Sequence, residues 1–179
     1  INCDEISYLG KDYPSIQNNY KQVFSAQTAY QMTSILEGVV QRGTGKKLRD
    51  LKLNIAGKTG TTNKNTDTWF IGFTSNLLIG VYVGNDNPKS LGKYETGSKT
   101  ALPIFKDFIK EAVKKSDARP FKAAKGMIMM VVDPRTGLKA KFSSKNTIIE
   151  VYKQQNVTDG KVLHTNNDRL DTNNILKFY

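Results

Sequence analysis

The chain has 179 residues with 27 Lys and Arg against 16 Asp and Glu, which gives a net charge of +11, and only 38% of its residues are hydrophobic. A single Cys and a single His exclude a disulfide-stapled domain, a zinc ribbon and a catalytic site that needs several His. No apolar run approaches the roughly 18 residues that a membrane span requires. The chain starts at Ile1 rather than Met, so we expect it to be a piece of a longer polypeptide.

A first helix is predicted after the polar, turn-rich residues 1–24. Ser25 is a suitable N-cap, and apolar residues recur at helical spacing over residues 29–40. Gly43 and a second glycine two positions later would end this helix.

Three strand-like runs follow, at residues 53–59, 69–74 and 77–83. Short polar turns join them, so neighbouring strands must pair antiparallel. In the second run the bulky side chains of Trp69, Ile71 and Phe73 alternate with Phe70 and smaller residues, which predicts that one face of the strand carries most of the bulk.

A second helix is predicted from Thr100, a candidate N-cap, with Pro103 in its first turn, where a missing N–H costs little. Its apolar stripe comprises Ala101, Ile104, Phe105, Phe108, Ile109, Ala112 and Val113. The order helix, three strands, helix predicts an α+β fold in which an antiparallel sheet is flanked by helices.

The character of the chain changes after residue 115. Residues 116–126 are typical of a basic linker, and a strong turn signal at residues 133–137 separates two strand-like runs, 127–132 and 138–142. We therefore expect a C-terminal β-hairpin. From Ser143 onward the sequence is rich in polar residues, which predicts a weakly ordered tail.

The most informative segment is Ala-Gly-Lys-Thr-Gly-Thr-Thr at residues 56–62. A phosphate-binding loop is disfavoured, because it would need a glycine at position 52, which is Lys, and a helix rather than a strand directly afterwards. A basic β-turn and a solvated strand end remain open on these residues alone.

The fourth interpretation is the Lys-Thr-Gly box of the penicillin-recognising serine acyltransferases, which lines an active site from an edge strand. Lys58 would offer a positive charge to a substrate carboxylate. Thr59 and Thr61 would present hydroxyls on one strand face, because side chains two positions apart point the same way. Gly60 between them lets a peptide approach the backbone, and the N–H that follows can help to form an oxyanion hole.

The surrounding sequence resembles the class A penicillin-binding proteins, the bifunctional glycosyltransferase–transpeptidases of bacterial cell-wall synthesis. The similarity runs in order through residues 28–45, 56–63, 67–74, 80–84, 95–97, 103–105 and 132–137. It implies part of the penicillin-binding-protein/β-lactamase-like transpeptidase fold. It also implies a serine enzyme that cross-links stem peptides through an acyl-enzyme and binds penicillin.

The resemblance also implies roles for the box residues. Lys58 and the backbone N–H of Thr61 would be catalytic, the latter as an oxyanion donor. The substrate-binding residues would be Lys58, Thr59, Gly60, Thr61 and Thr62, with no metal and no cofactor. Trp69 and Phe70 are candidates for the acceptor side, although packing in the sheet core is the simpler interpretation.

One departure from the family is serious. In class A proteins a Ser-x-x-Lys box and a Ser-x-Asn box lie upstream of the Lys-Thr-Gly strand, and residues 1–57 contain neither. Two later matches, Ser90 with Lys93 and Ser144 with Asn146, are attributed to chance. We therefore expect the nucleophile to lie in a missing N-terminal part and this chain to be inactive alone.

We accordingly divide the chain into residues 1–115, the C-terminal part of a transpeptidase domain, and residues 116–179, a linker, hairpin and extension.

Expected partners are the missing N-terminal part, peptidoglycan stem peptides and β-lactams. The expected location is the periplasmic face of the inner membrane, with the anchor outside this chain. Most cations are Lys rather than groove-reading Arg, so we expect no nucleic-acid partner. Cys3 and His164 are expected to be an unpaired thiol and a solvated side chain. A non-catalytic basic module that binds nucleic acid or cell wall remains the alternative.

Overall fold

The structure is a computed structural model that describes residues 21–114, 119–141, 144–158 and 161–162. Its helices are α1 (Ala26–Arg42), α2 (Ala101–Ala112) and the 3-10 helices Lys46–Leu51 and Gln154–Asn156. Its strands are β1 (Ala56–Thr61), β2 (Asp67–Phe73), β3 (Leu78–Gly84), β4 (Met127–Val132), β5 (Ile148–Lys153), β6 (Val157–Thr158) and β7 (Lys161–Val162). None of the described helices is long and apolar enough to cross a membrane. Cys3 and His164 lie outside the described residues.

Helix α1 begins and ends where the sequence predicts. The Ser25 side chain accepts a hydrogen bond from the backbone N–H of Thr28 at 3.2 Å, which satisfies one of the free donors of the first turn. Gly43 follows the helix, and its N–H donates to the carbonyl of Val39 at 3.0 Å. The chain then leads through a 3-10 helix into β1.

The first three strands form one antiparallel sheet in the order β1-β2-β3. Lys58 lies opposite Ile71, and Phe70 lies opposite Val81. The predicted tight turn between β2 and β3 is confirmed, because the N–H of Thr74 donates to the carbonyl of Leu77 at 2.9 Å. Strand β1 pairs with one neighbour only, so its other edge is free of strand partners in the described part of the chain.

The core lies on the face of β2 that packs against α2. Phe70 is fully buried and meets Phe105 of α2 edge to face, with ring centroids 4.7 Å apart. Gly72 makes room for this pair, because a Cβ there would lie 2.7 Å from both rings. Trp69 and Ile71 point to the other face and are 44% and 47% exposed, so the bulky face is the outer one. Core packing is confirmed for Phe70 and is wrong for Trp69.

Helix α2 begins directly after Thr100, but the predicted side-chain cap is wrong. The Thr100 hydroxyl instead lies 2.6 Å from that of the buried Thr68 and donates to the carbonyl of Thr96 at 3.0 Å. The buried stripe of α2 is also narrower than predicted, because Ile104 and Phe108 are 52% and 55% exposed.

The C-terminal hairpin forms with a different second strand from the predicted one. Strand β4 pairs antiparallel with β5, and Val132 lies opposite Ile148. The predicted partner run at 138–142 pairs with the end of β4 over a short stretch only, through a bridge between Val132 and Lys139 and a hydrogen bond from the Ala140 N–H to the Val131 carbonyl at 2.9 Å. Phe142 lies outside the described residues. The turn itself is present, closed by the N–H of Gly137 on the Asp133 carbonyl at 2.8 Å. The expectation of a weakly ordered tail is therefore wrong for β5.

Polar contacts attach this hairpin to α1. Arg42 forms an ion pair with Glu150 at 2.7 Å. The Gln31 side chain donates to the carbonyl of Val151 at 3.1 Å, and Lys153 Nζ donates to a threonine hydroxyl of α1 at 2.9 Å. Strand β5 thus lies beside α1.

Candidate active site

The Lys-Thr-Gly segment lies on β1, at the edge of the sheet, as the sequence predicts. The register places Thr59 opposite the buried Phe70, and Thr61, two positions further on, shares that face. Lys58 lies on the other face, across from the exposed Ile71. The two threonine hydroxyls therefore share one face of the strand, as expected, and the lysine lies on the opposite face.

Along the open edge of β1, some backbone N–H groups point away from β2, where a ligand can reach them. The N–H of Thr62 donates to the carbonyl of Asp67 at 3.0 Å, so it faces β2. N–H groups alternate between the two sides of an antiparallel strand, and those of Thr61 and Thr59 therefore point away from β2. A donor at the open edge, next to the side-chain-free Gly60, has the orientation that an oxyanion hole requires.

Lys58 is exposed, and its Nζ donates to the carbonyl of the adjacent Thr59 at 3.0 Å. Among the residues that the structure describes, no carboxylate forms a salt bridge with it. Its charge therefore remains available to an anionic ligand at the edge of β1.

The hydroxyl of Thr59 lies 3.0 Å from that of Thr44. Thr44 follows α1, in the Gly-Thr-Gly stretch that the sequence marks only as the end of a helix. The structure brings it beside the box and adds a hydroxyl that sequence reasoning did not identify. The only signal in the sequence was the position of Thr44 within one of the blocks that carry the family resemblance.

The hydroxyl of Thr61 accepts the backbone N–H of Gly97 at 3.1 Å. Gly97 is buried and lies in the loop that leads into α2. Residues 95–97 are one of the segments that carry the family resemblance, but the sequence alone assigned them no role. Their contact with β1 depends on the tertiary fold, since 36 positions separate the two residues.

Thr62 occupies a different environment from the other box residues. Its hydroxyl accepts the N–H groups of Thr66 and Asp67, both at 3.0 Å, and so closes the turn between β1 and β2. This gives Thr62 a place in the turn, and its contribution to substrate binding stays a prediction.

Asp67, at the start of β2, is held by two hydroxyls. Tyr82 donates to Asp67 Oδ1 and Thr66 donates to Oδ2, both at 2.7 Å. These hydrogen bonds lower the pKa of Asp67 below its ordinary value. The same Tyr82 ring packs against Trp69, with centroids 4.8 Å apart, which places an aromatic pair on the outer face beside Gly60.

The two later serine matches show no catalytic environment. Ser90 lies in an exposed loop, where its hydroxyl accepts the N–H of Gly92 at 3.2 Å. Within the described ranges, neither Ser90 nor Ser144 has a lysine side chain hydrogen-bonded to its hydroxyl. The same ranges contain no group of three or more His, Cys, Asp or Glu that could hold a metal ion.

Comparison with known proteins gives consistent matches. A sequence profile described as the penicillin binding protein transpeptidase domain matches residues 6–110. Penicillin-binding protein 1A of Rickettsia conorii is 47% identical over 128 residues, which are 72% of this chain and 16% of that protein. The protein of the same name from Pseudomonas aeruginosa is 38% identical over 136 residues, again 16% of its length. The chain therefore spans a small part of these curated relatives.

A solved structure agrees with the sequence matches. The crystal structure of penicillin-binding protein 1A from Haemophilus influenzae superimposes with a TM-score of 0.66 at 27% sequence identity. The match covers 80% of this chain and 22% of that one. The mixed arrangement of helices and antiparallel sheet is thus shared with a solved relative.

Proposed function

The chain belongs to the penicillin-binding protein transpeptidase family, and we propose that it forms the C-terminal part of a D,D-transpeptidase that cross-links peptidoglycan stem peptides. The observation that carries the proposal is the Lys-Thr-Gly box on the open edge of β1, with the Thr61 N–H pointing away from β2. The sequence relatives support this reading, and they do not support a basic module that binds nucleic acid or cell wall.

In the proposed reaction a stem peptide lies along the edge of β1. The hydroxyls of Thr59 and Thr61 bind its terminal carboxylate, and Lys58 supplies positive charge from the other face of the strand. A serine from the upstream part attacks the carbonyl of the D-Ala–D-Ala bond, and the Thr61 N–H donates to the oxyanion that develops. The terminal D-Ala leaves, and an acceptor amine then displaces the serine from the acyl-enzyme.

The remaining proposals concern the parent polypeptide. The Ser-x-x-Lys and Ser-x-Asn boxes would come from an N-terminal part that packs beside β1. Residues 1–115 would complete the transpeptidase domain, and residues 116–179 would be a linker, hairpin and extension. β-Lactams would acylate the same serine, at the periplasmic face of the inner membrane.

The direct test replaces Lys58 in the longer polypeptide that carries the Ser-x-x-Lys box. We expect Lys58→Ala to lower the rate of acylation by a fluorescent penicillin by about 100-fold or more, because a fixed charge close to the reacting groups is lost. Lys64→Ala, in the exposed turn after β1, is the matched control and should acylate normally. Near-normal acylation of the Lys58 variant would remove this residue from the site.

The isolated 179-residue chain provides a second test of the same proposal. We expect it to take up no covalent label from the fluorescent penicillin, because the proposed nucleophile lies upstream. Peptide mapping would detect any labelled serine. A label on Ser90 would place the active site elsewhere and overturn the assignment.

A further inference from the structure

We infer that Gly97 is a positioning residue of the active site, which holds the Thr61 hydroxyl as a hydrogen-bond donor toward the substrate carboxylate. This inference rests on the proposed function. Gly97 is a buried residue of the loop before α2, whereas Thr61 is exposed at the end of β1. The Gly97 N–H reaches the Thr61 Oγ1 at 3.1 Å.

The direction of this hydrogen bond decides what Thr61 can offer a ligand. A threonine hydroxyl has one proton to donate and two lone pairs to accept. A backbone N–H can only donate, so Gly97 occupies a lone pair of Thr61 and leaves the proton free. A carboxylate can only accept, and the contact with Gly97 therefore orients Thr61 for an anionic group at the strand edge.

The position admits only glycine because the loop lies directly against the sheet backbone. A Cβ on Gly97 would overlap the carbonyl oxygen of Trp69 and would lie 2.7 Å from that of Gly60. Both atoms belong to paired strands and cannot move aside as a flexible side chain would. Any side chain at position 97 must therefore push the loop away from β1 and lengthen its bond to Thr61.

Hydrogen bonds to α2 and to β2 also fix the loop that contains Gly97. The N–H of Leu102 donates to the Gly97 carbonyl at 2.8 Å, and the N–H of Thr100 donates to the Thr96 carbonyl at 3.0 Å. The Thr100 hydroxyl in turn lies 2.6 Å from that of Thr68, which is fully buried in β2. The first turn of α2 and the middle strand thus hold Gly97 against Thr61.

The test measures discrimination between an anionic and a neutral ligand in the longer polypeptide. Acylation rates are determined for a β-lactam that has a free carboxylate and for its methyl ester. We expect Gly97→Ala to lower the rate with the carboxylate about tenfold and to leave the ester rate within about twofold, so that the carboxylate preference shrinks. Gly80→Ala is the matched control, because a Cβ there meets only a side-chain atom at 3.9 Å.

A double-mutant cycle distinguishes positioning of the Thr61 hydroxyl by Gly97 from a general disruption of the fold. Thr61→Val removes the hydroxyl and should reduce the carboxylate preference, whereas Thr61→Ser should restore it. Adding Gly97→Ala to Thr61→Val should then cause no further loss of preference, because the glycine acts through the hydroxyl. Equal loss for carboxylate and ester, or additive losses in the double variant, would overturn the inference.

Two further outcomes are distinguishable. If the unsubstituted polypeptide is not acylated at all, the proposed function fails rather than the role of Gly97. If Gly97→Ala does not fold, hydrogen exchange of the Gly97 amide in the unsubstituted protein and in Thr61→Val provides the measurement. We expect faster exchange of that amide in Thr61→Val, and unchanged exchange would contradict the proposed contact.

Discussion

The two main sheets of this chain are stabilised in different ways. The sheet β1–β3 is covered on one face by α2, and its core includes the fully buried Phe70 and Phe105. The β4–β5 hairpin instead leaves Met129 and Ile149 about 60% exposed and is attached to α1 by an ion pair and hydrogen bonds. The first sheet thus buries large aromatic side chains in a core, whereas the hairpin buries the smaller Val132 and Val151 and is joined to α1 by polar contacts.

This difference predicts two levels of stability. Burial of a large apolar side chain contributes about 2–3 kcal/mol, whereas an ion pair with partly exposed partners contributes about 1 kcal/mol or less. The first sheet should therefore determine the global free energy of unfolding. The hairpin should separate from α1 by local opening, well below the global value.

The largest expected effect comes from the core of the first sheet. We expect Phe105→Ala to lower the free energy of unfolding by about 3–5 kcal/mol, because it leaves a cavity against Phe70. Urea unfolding of the 179-residue chain, followed by the fluorescence of Trp69, measures the change.

The same helix provides the matched control. Phe108 is 55% exposed, so Phe108→Ala should cost less than about 1 kcal/mol. Equal losses for the two variants would show that the face of α2 toward Phe70 is not the stabilising one.

A smaller effect is expected at the hairpin. Arg42→Met removes the ion pair with Glu150 and should speed amide exchange in β5 by about fivefold, which corresponds to about 1 kcal/mol. Global unfolding in urea should hardly change. Arg135→Met is the control, since that side chain is 81% exposed and lies 3.7 Å from its acidic partner. Destabilisation of the first sheet by Arg42→Met would contradict the separation into two levels.

The smallest effect concerns pH. Burial raises the pKa of Glu150 above its ordinary value, although the nearby Arg42 acts in the opposite direction. A raised folded-state pKa means that the attached hairpin binds the proton more tightly than the free one. The contribution of Glu150 to the attachment of the hairpin is therefore fully present below the ordinary pKa of a glutamate. It is lost as the pH rises through the raised pKa of the attached state.

Amide exchange in β5, corrected for the intrinsic rate, should consequently be slower near pH 4 than near pH 7. Glu150→Gln keeps an acceptor for Arg42 but cannot titrate, so this pH dependence should disappear. Its persistence in the variant would assign the effect to another group.

Local signals in the sequence were sufficient for the two α-helices and the first three strands. The Ser25 cap and the glycine at position 43 define α1, because both act within a few residues. The placement of the Lys-Thr-Gly box on an edge strand followed from the family resemblance and from short turns. The roles of the box residues stay predictions.

Long-range packing was not readable in the same way. Core packing was expected for Trp69 as well as for Phe70 and is wrong for Trp69, because the inner face of β2 contains Gly72 and gains its volume from Phe105 on a distant helix. The turn at residues 133–137 favoured the nearest strand as the partner of β4, whereas β5 pairs with it across a longer connection. The contact between Gly97 and Thr61 likewise depends on the packing of two segments that are 36 positions apart in the sequence.

The alternation of side chains along β1 makes the candidate site sensitive to strand register. A slip of one residue against β2 would turn Lys58 toward the buried Phe70 and turn the hydroxyls of Thr59 and Thr61 to the outer face. Gly57, which lies opposite Gly72 on the inner side of the sheet, opposes such a slip, because a Cβ at its place would lie 2.8 Å from the carbonyl oxygen of Ile71 and 2.9 Å from the Cα of Gly72. Substitutions in the hydrophobic core can therefore impair ligand recognition without touching a ligand.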